Sequence, residues 1–363
     1  MRTEDFDYHL PEELIAQEPM MPRDACKLLV MHRNEGKLDH RHFYNIGDYL
    51  QPGDLLVVNE TRVLPARLQG KRADTGGAVE VLLLKKLDKE SNTWECLVKP
   101  GKRVREGTVI EFHESAELGV SESMGVLTAS SSLQGKVLSV GNDGIRHISF
   151  TAADGDFHAA IHRLGTLPLP PYIKDYTGDQ SLYQTVYAGE DEHSAAAPTA
   201  GLHFTPELLE QLQEKGVNIA RVRLDVGLDT FRPVSEDDPT QHHIHTEYFH
   251  VPQAAADAVN ATRAAGRRVV AVGTTVVRAL ESAAQLSGSA TITEQGAPTS
   301  LYILPGFDFQ VVDALITNFH VPKSTLVMMI SAFTGREEIL AAYNEAVQHN
   351  YRFLSFGDAM LIL

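Results

Sequence analysis

Apolar residues are distributed along this chain in two regimes. Up to about residue 150 they come in short runs: KLLVMH, LLVVNE (55–60), RVLPARLQG, AVEVLLLKK, TWECLVKP, GTVIEF, KVLSVG and IRHISF. Turn signals such as RNEG, QPGD, DTGG, KPGK and GNDG separate them. Runs of this spacing with almost no helical period predict strands of a small barrel or sandwich. KLLVMH and KLDHRHF flank RNEG as a hairpin, and LPEELIAQ (10–17) reads as a short helix with Pro11 near its first turn.

Helical spacing returns at DFHAAIHRLG (156–165) and the second half alternates. Thr205 and Pro206 open the helix PELLEQLQEKG, which Gly216 stops. Next come the strand VNIARVRLDV, the helix QAAADAVNATRAAG, the strand RRVVAVG and the helix TTVVRALESAA. Strands at LYILPGF and ALITNF, the helices STLVMMISAF and REEILAAYNEAVQHN, and a strand FLSFGDAMLI complete the pattern. Such alternation predicts an α/β main domain, a mixed sheet or barrel with helices, made of residues 1–64 and 151–363. Residues 65–150 are then an inserted small all-β barrel domain.

Composition narrows the setting. The chain has 363 residues, 43% of them hydrophobic, enough for a sizeable core. Its two cysteines, Cys26 and Cys96, form no CxxC pattern and fit a reducing cytoplasm. The start MRTEDFDYHLPEEL has no apolar h-region, and TLVMMISAF is too short to span a bilayer. A soluble, cytoplasmic monomer is expected. The net charge of −16 opposes simple electrostatic binding of nucleic acid. Residues 61–105, however, hold eleven Lys or Arg against five acids. That is either a footprint for a polyanion or the charged outer face of a β-domain.

Four stretches carry candidate chemistry. SAAAPTAGLHF (194–204) sets small residues, Pro198, Thr199 and Gly201 ahead of His203 and Phe204, a backbone that a ligand can approach beside a titratable group. VGTTVVRALES places Thr274 and Thr275 at a helix start after a strand, with Arg278 and Glu281 about a turn on. It is an anion or sugar site, or an ordinary N-cap. TNFHVPKSTL sets Asn318 and His320 at a strand end before Lys323, Ser324 and Thr325, a carboxylate or phosphate grip or again a cap. LDVGLDTFRPV offers Asp225 and Asp229 as a cation site, acid–base groups or turn residues. The following HHIHTEYFH lacks Cys ligands and HExxH. It reads as a partly solvated loop from which one or two histidines or Glu247 reach the site. A metal-assisted nucleoside hydrolase using His242, His243 and His245, and a non-catalytic tRNA-binding protein, are the rival readings.

NETRVLPARL (59–68), LPLPPYI (167–173), YQTVY (183–187), SAAAPTAGLHF, VGTTVVRALES, PGFDFQVVDALITNFHVPKSTL and YRFLSFGDAM, taken together, resemble the signatures of one family. It is the S-adenosylmethionine:tRNA ribosyltransferase-isomerase family of queuosine biosynthesis. The resemblance implies transfer and isomerisation of the ribosyl moiety of S-adenosylmethionine onto 7-aminomethyl-7-deazaguanine at the tRNA wobble position. Epoxyqueuosine-tRNA forms, and adenine and methionine leave. S-adenosylmethionine is then a consumed substrate, with no metal and no redox cofactor, and the fold is an α/β domain interrupted by a smaller β-barrel. On this resemblance His203, Asp225 and His320 are the expected catalytic groups. Asn59, Thr61, Arg62, Pro198, Thr199, Gly201, Phe204, Thr274, Thr275, Arg278, Glu281, Asn318, Lys323, Ser324 and Thr325 are the expected substrate-binding groups. The chain departs from the family pattern at Asp225 and Asp229, where His and Gly are usual, and at His193, where Gly is usual. One extra residue lies in the loop at His193, and HHIHTEY is one residue shorter than usual. Asp225 must then stand in for the imidazole, or another histidine must serve.

Overall fold

Leu55–Asn59 is buried at all five positions, which a strand achieves only when both faces of its sheet are covered. Leu55 and Val57 pack into one core and Leu56 and Val58 into a second, the alternation of a pleated strand. The structure, a computed structural model, describes residues 1–33, 35–87, 91–114, 133–141, 144–174, 176–227 and 233–363. Asp229 and the side chain of His193 lie outside the described residues, as does Lys89 of the basic stretch.

This strand is central in a nine-stranded mixed sheet. Its strands in chain order are β1 Lys27–His32, β2 Lys37–His42, β3 Leu55–Asn59, β4 Asn218–Leu224, β5 Glu247–Val251, β6 Val269–Val272, β7 Gln295–Thr299, β8 Ala314–Asn318 and β9 Ala359–Ile362. They lie in the order β7-β5-β4-β3-β6-β8-β9-β1-β2. β4, β3, β6 and β8 run parallel. The β1–β2 hairpin forms as its turn signal predicts. Among the described residues this unit has five α-helices: α1 Pro206–Glu214, α2 Gln253–Ala264, α3 Thr274–Ser287, α4 Thr325–Thr334 and α5 Arg336–Gln348. In α1 the Thr205 hydroxyl accepts from Leu208 N, and Leu208 and Leu212 turn one stripe inward. α3 differs: Thr274 through Ala284 is buried on every face. A helix so enclosed is a core element whose polar residues must find partners inside the protein.

Four expectations are corrected. LPEELIAQ forms only a single 3-10 turn, Glu12–Leu14, with Pro11 before it. LYILPGF is not a strand; the chain pairs earlier, at β7, whose Gly296 and Pro298 hid it and suit an edge position. β5, inside the histidine-rich stretch, had no sequence signal of its own. The last strand is shorter than FLSFGDAMLI, covering only Ala359–Ile362.

The contacts divide the chain into Met1–Arg62 with Leu169–Leu363, and Val63–Pro168. The second unit is a closed six-stranded antiparallel barrel. Its strands are Arg67–Arg72, Ala78–Lys86, Thr93–Lys99, Ile145–Ala152, Leu133–Val140 and Val109–Phe112, sealed by the pairing of Lys71 with Glu111. It runs past residue 150 because the helix Phe157–Leu164 seals the barrel's own core. Phe157 packs on Phe150 and Trp94, with ring centroids 5.5 and 6.0 Å apart. No helix among the described residues is long and apolar enough to cross a membrane.

One buried carboxylate ties the central strands together. Asp54, 1% exposed, accepts from Gln51 N at 2.8 Å and from Arg268 Nη2 at 2.5 Å. Its own carbonyl accepts from Asn218 N, and Leu55 N donates to Arg268 O. The residue thus joins the entries of β3, β4 and β6. Asp54→Ala is expected to cost about 2–3 kcal/mol in denaturant unfolding, less than for a fully buried pair because Arg268 stays partly in water. An unchanged unfolding midpoint would contradict this role.

Candidate active site

β6 is apolar and ends at Gly273, whose φ of 92° is a conformation that glycine adopts without strain. The chain turns there directly into α3. Gly273 has no side chain to cap the helix; Val276 and Val277 donate to its carbonyl, so the N–H groups of Thr274 and Thr275 keep their partial positive charge for something else. Thr274 and Thr275 line two cavities that adjoin at this point. The larger, of about 210 Å³, is also lined by Gly227, His242, His245, Glu247, Arg278, Tyr302, Thr325 and Met329. The smaller, of about 40 Å³, is lined by Pro198, Thr199, Asn318, His320, Ser324 and Leu354 among others. Thr274, Thr275 and Leu326 belong to both. One chamber has room for an organic group and the other for a few waters or a small polar group.

The electrostatic centre is a buried ion pair. Arg278, 5% exposed, donates through Nη1 to Glu247 Oε2 and through Nε to Leu301 O at 3.1 Å. Glu247 Oε1 accepts from Gly227 N at 2.8 Å. Arg278 Nη2 is buried and makes no hydrogen bond among the described residues. A buried donor left in that state costs on the order of 1–3 kcal/mol. Its position on the cavity wall makes it a donor for an anionic group entering there.

The structure gathers some predicted residues and disperses others. Pro198, Thr199, Thr274, Thr275, Arg278, Asn318, His320, Ser324 and Thr325 line the two cavities. Ser324 is also the N-cap of α4, its hydroxyl accepting from Val327 N. Lys323 lines neither cavity; its ammonium lies 3.2 Å from the Asp7 carboxylate. Glu281 is fully buried with the three N–H groups of Gln310, Val311 and Val312. It is a clamp on that loop, and burial raises its pKa. Asn59 bridges β3 to β4 through Leu224 N and O, while Thr61 donates to Asp225 Oδ1 at 3.3 Å. Asn59, Thr61, Arg62 and Asp225 are not on the cavity walls.

His203, Gly201 and Phe204 share that fate for reasons of packing. A Cβ on Gly201 would meet Tyr187 Oη at 1.9 Å, so this glycine is required by a neighbouring ring. Phe204 is fully buried edge-on to Phe43. His203 stands 4% exposed with Cys26 Sγ 3.2 Å from Nδ1 and Asn318 Oδ1 3.3 Å from Nε2. Burial raises the thiol pKa and lowers that of the imidazole to about 4. The neutral tautomer with Nε2–H fits both partners. His203 lines only a third cavity of about 20 Å³. Burial likewise lowers His320 to about 3, with Nε2 2.8 Å from Thr317 Oγ1.

In the sequence the histidine-rich stretch reads as a partly solvated loop from which one or two histidines or Glu247 reach the site, with a metal site only as the rival. His242, His243 and His245 are not among the groups of described residues that gather as ligands for an ion. Instead His242 and His245 line the larger cavity beside Glu247. His242 Nδ1 sits 2.9 Å from Glu236 Oε2, and its ring meets Tyr302 edge-on at 5.9 Å.

Residues 3–362 match the model of a family described as queuosine biosynthesis protein. The S-adenosylmethionine:tRNA ribosyltransferase-isomerase of Moorella thermoacetica is 54% identical over 363 residues, all of both chains. The protein of the same name from Symbiobacterium thermophilum is 52% identical, again over all of both chains. A crystal structure of S-adenosylmethionine tRNA ribosyltransferase from Thermotoga maritima is 39% identical. It is similar over 99% of this chain and 100% of its own, with a TM-score of 0.54.

The depressed imidazole of His203 has a consequence for stability. Unfolded, the ring takes a proton near pH 6.5; folded, it resists until about 4. Stability is therefore lost as pH falls below 6.5, at up to about 1.4 kcal/mol per pH unit. Unfolding free energies at pH 7.5 and pH 5 should differ less in His203→Gln than in the parent protein. Equal differences would show that His203 is not held neutral.

Proposed function

This chain belongs to the queuosine biosynthesis protein family, and we propose from that premise that it is an S-adenosylmethionine:tRNA ribosyltransferase-isomerase. It transfers and isomerises the ribosyl moiety of S-adenosylmethionine onto 7-aminomethyl-7-deazaguanine in the tRNA wobble position. The products are epoxyqueuosine-tRNA, adenine and methionine. A tRNA-binding protein without catalysis would need neither a buried ion pair nor two adjoining chambers. The reading includes a monomer in the cytoplasm that consumes S-adenosylmethionine without a metal or redox cofactor. It also takes Val63–Pro168 as a domain inserted into the other unit.

The observation that carries this reading is the Arg278–Glu247 pair at the start of α3. The methionyl headgroup is a zwitterion, and a neutral ion pair offers it one pole for each end. Arg278 Nη2 and the first-turn amides of α3 take the carboxylate; Glu247 takes the ammonium. Net charge contributes little, so affinity comes from directed hydrogen bonds. Thr274 and Thr275, shared by the two cavities, hold ribose hydroxyls, and Pro198, Thr199 and Asn318 border the adjoining group.

The sulfonium acidifies the C5′ protons beside it, so a positioned base begins the chemistry. His242 takes that role, with Glu236 holding Nδ1 and so fixing the tautomer that leaves Nε2 as the basic nitrogen. His320, neutral with its low pKa, is a hydrogen-bonding group in the smaller cavity. His203 acts through Asn318 as a positioning residue, while Asp225, bonded by Thr61 away from both cavities, takes no direct part.

Two measurements test this. Adenine should be released from S-adenosylmethionine only when tRNA bearing 7-aminomethyl-7-deazaguanine is present, and EDTA should not change the rate. Release without the modified tRNA, or its loss with chelator, would overturn the assignment. Arg278→Lys keeps the charge beside Glu247 but loses the fork. It should raise the KM for S-adenosylmethionine by about 10- to 100-fold, the range for a charged hydrogen bond. It should also narrow the preference over decarboxylated S-adenosylmethionine. An unchanged preference would move the carboxylate elsewhere.

A further inference from the structure

Charge is divided between the two units in a way the whole-chain value hides. Val63–Pro168 holds thirteen Lys or Arg and thirteen Asp or Glu, so the entire −16 belongs to the other unit. Within the barrel the cations are unevenly placed. The connection from the strand Thr93–Lys99 to the next, at Val109, opens with KPGKRVR, residues 99–105, four cations ahead of its one acid, Glu106. Lys99, Lys102, Arg103 and Arg105 are all exposed. Among the described residues none of their side chains makes a hydrogen bond or ion pair. Glu80, which faces Lys99 across the sheet, has its carboxylate engaged by Arg67 at 3.2 Å and Gln69 at 2.9 Å.

Beneath this loop lies a fifth cation. Arg146 is 7% exposed and its guanidinium meets only carbonyls: Val104 O at 2.9 Å, Gly101 O at 2.8 Å and Ile145 O at 2.8 Å. The pin fixes the loop backbone and adds positive potential under it without a carboxylate to cancel it. A merely solvated face intersperses the two signs. Here four unpaired cations stand on a braced turn, so little order must be gained when an anion arrives.

We propose that the loop Lys99–Arg105 docks the sugar–phosphate backbone of the tRNA substrate, with Lys102, Arg103 and Arg105 on phosphates. The proposal rests on the function assigned above. It explains how an acidic protein engages a polyanion: the contact is local, on the unit without net charge. Such contacts position RNA and release counterions, and they do not read sequence.

The test compares two double variants in tRNA binding across a salt series and in turnover. Lys102→Ala with Arg103→Ala should lower the slope of log K against log salt by roughly 1.5–2. It should raise the KM for tRNA while leaving the KM for S-adenosylmethionine, and kcat at saturating tRNA, as in the parent. Lys37→Ala with Arg41→Ala, exposed cations of the other unit, should leave the slope as it was. A parental slope and KM in the first variant, or an equal fall in the second, would overturn the proposal. A parent protein that neither binds the tRNA nor releases adenine would instead overturn the functional assignment.

Discussion

The site is organised around the ion pair between Arg278 and Glu247. The guanidinium comes from α3, the carboxylate from the first residue of β5, and further partners include Gly227, beyond β4, and Leu301, beyond β7. Four segments distant in sequence are thereby held in one register. Such a pair is poor evidence for net stability, because taking two charges out of water costs about what their attraction returns. Its effect is on specificity of arrangement: either partner alone would be a buried charge, which the fold cannot tolerate. The arrangement also leaves one donor, Nη2, beyond the structural requirement. A group retained at that cost inside a cavity wall makes sense as ligand-binding chemistry.

The pair can exist only because α3 is enclosed. An amphipathic helix would turn Arg278 to solvent, where screening would reduce it to an ordinary surface charge. Burial of every residue from Thr274 to Ala284 denies that exit. Polar groups in the segment must then find partners inside the protein, Arg278 Nη2 being the exception. Glu281 answers to the amides of residues 310–312, Ser282 to Thr299, and Thr275 to Asn59. The first turn, uncapped at Gly273, opens on the two cavities. Sheet, helix and site are in this sense one constraint.

Much of this could be read from the sequence, and the failures have identifiable causes. Apolar strand followed by small corner followed by helix start is a local pattern, so Thr274, Thr275 and Arg278 were legible. Glu281 was not separable from them, because it lies three positions after Arg278 and only tertiary structure decides which way each carboxylate or guanidinium turns. SAAAPTAGLHF looked like backbone cleared for a ligand. Part of it is: Pro198 and Thr199 border the smaller cavity. Gly201, however, is small because of the Tyr187 ring, and His203 is sealed between a thiol and an amide. Local sequence reports absence of bulk without saying what fills the space. β5 and β7 were missed because histidines, Gly296 and Pro298 mask strand character; Glu247 was named as reaching the site, but its pairing with Arg278 shows only in the fold.

The division of charge follows from the demands of two dissimilar substrates. S-adenosylmethionine brings a sulfonium, and the site proposed for it lies in the unit carrying all sixteen excess negative charges. A unit of negative net charge favours a cationic ligand and repels RNA that approaches without a fixed docking point. The barrel carries no net charge, so it imposes no comparable repulsion, and a loop braced by Arg146 concentrates its cations where a phosphate backbone can use them. Making the whole protein basic would strengthen RNA binding everywhere and weaken its selectivity for one orientation. Confining positive charge to a rigid turn keeps association salt-sensitive yet oriented. With the proposed sites, each unit sets the electrostatics for one substrate, and neither must compromise for the other.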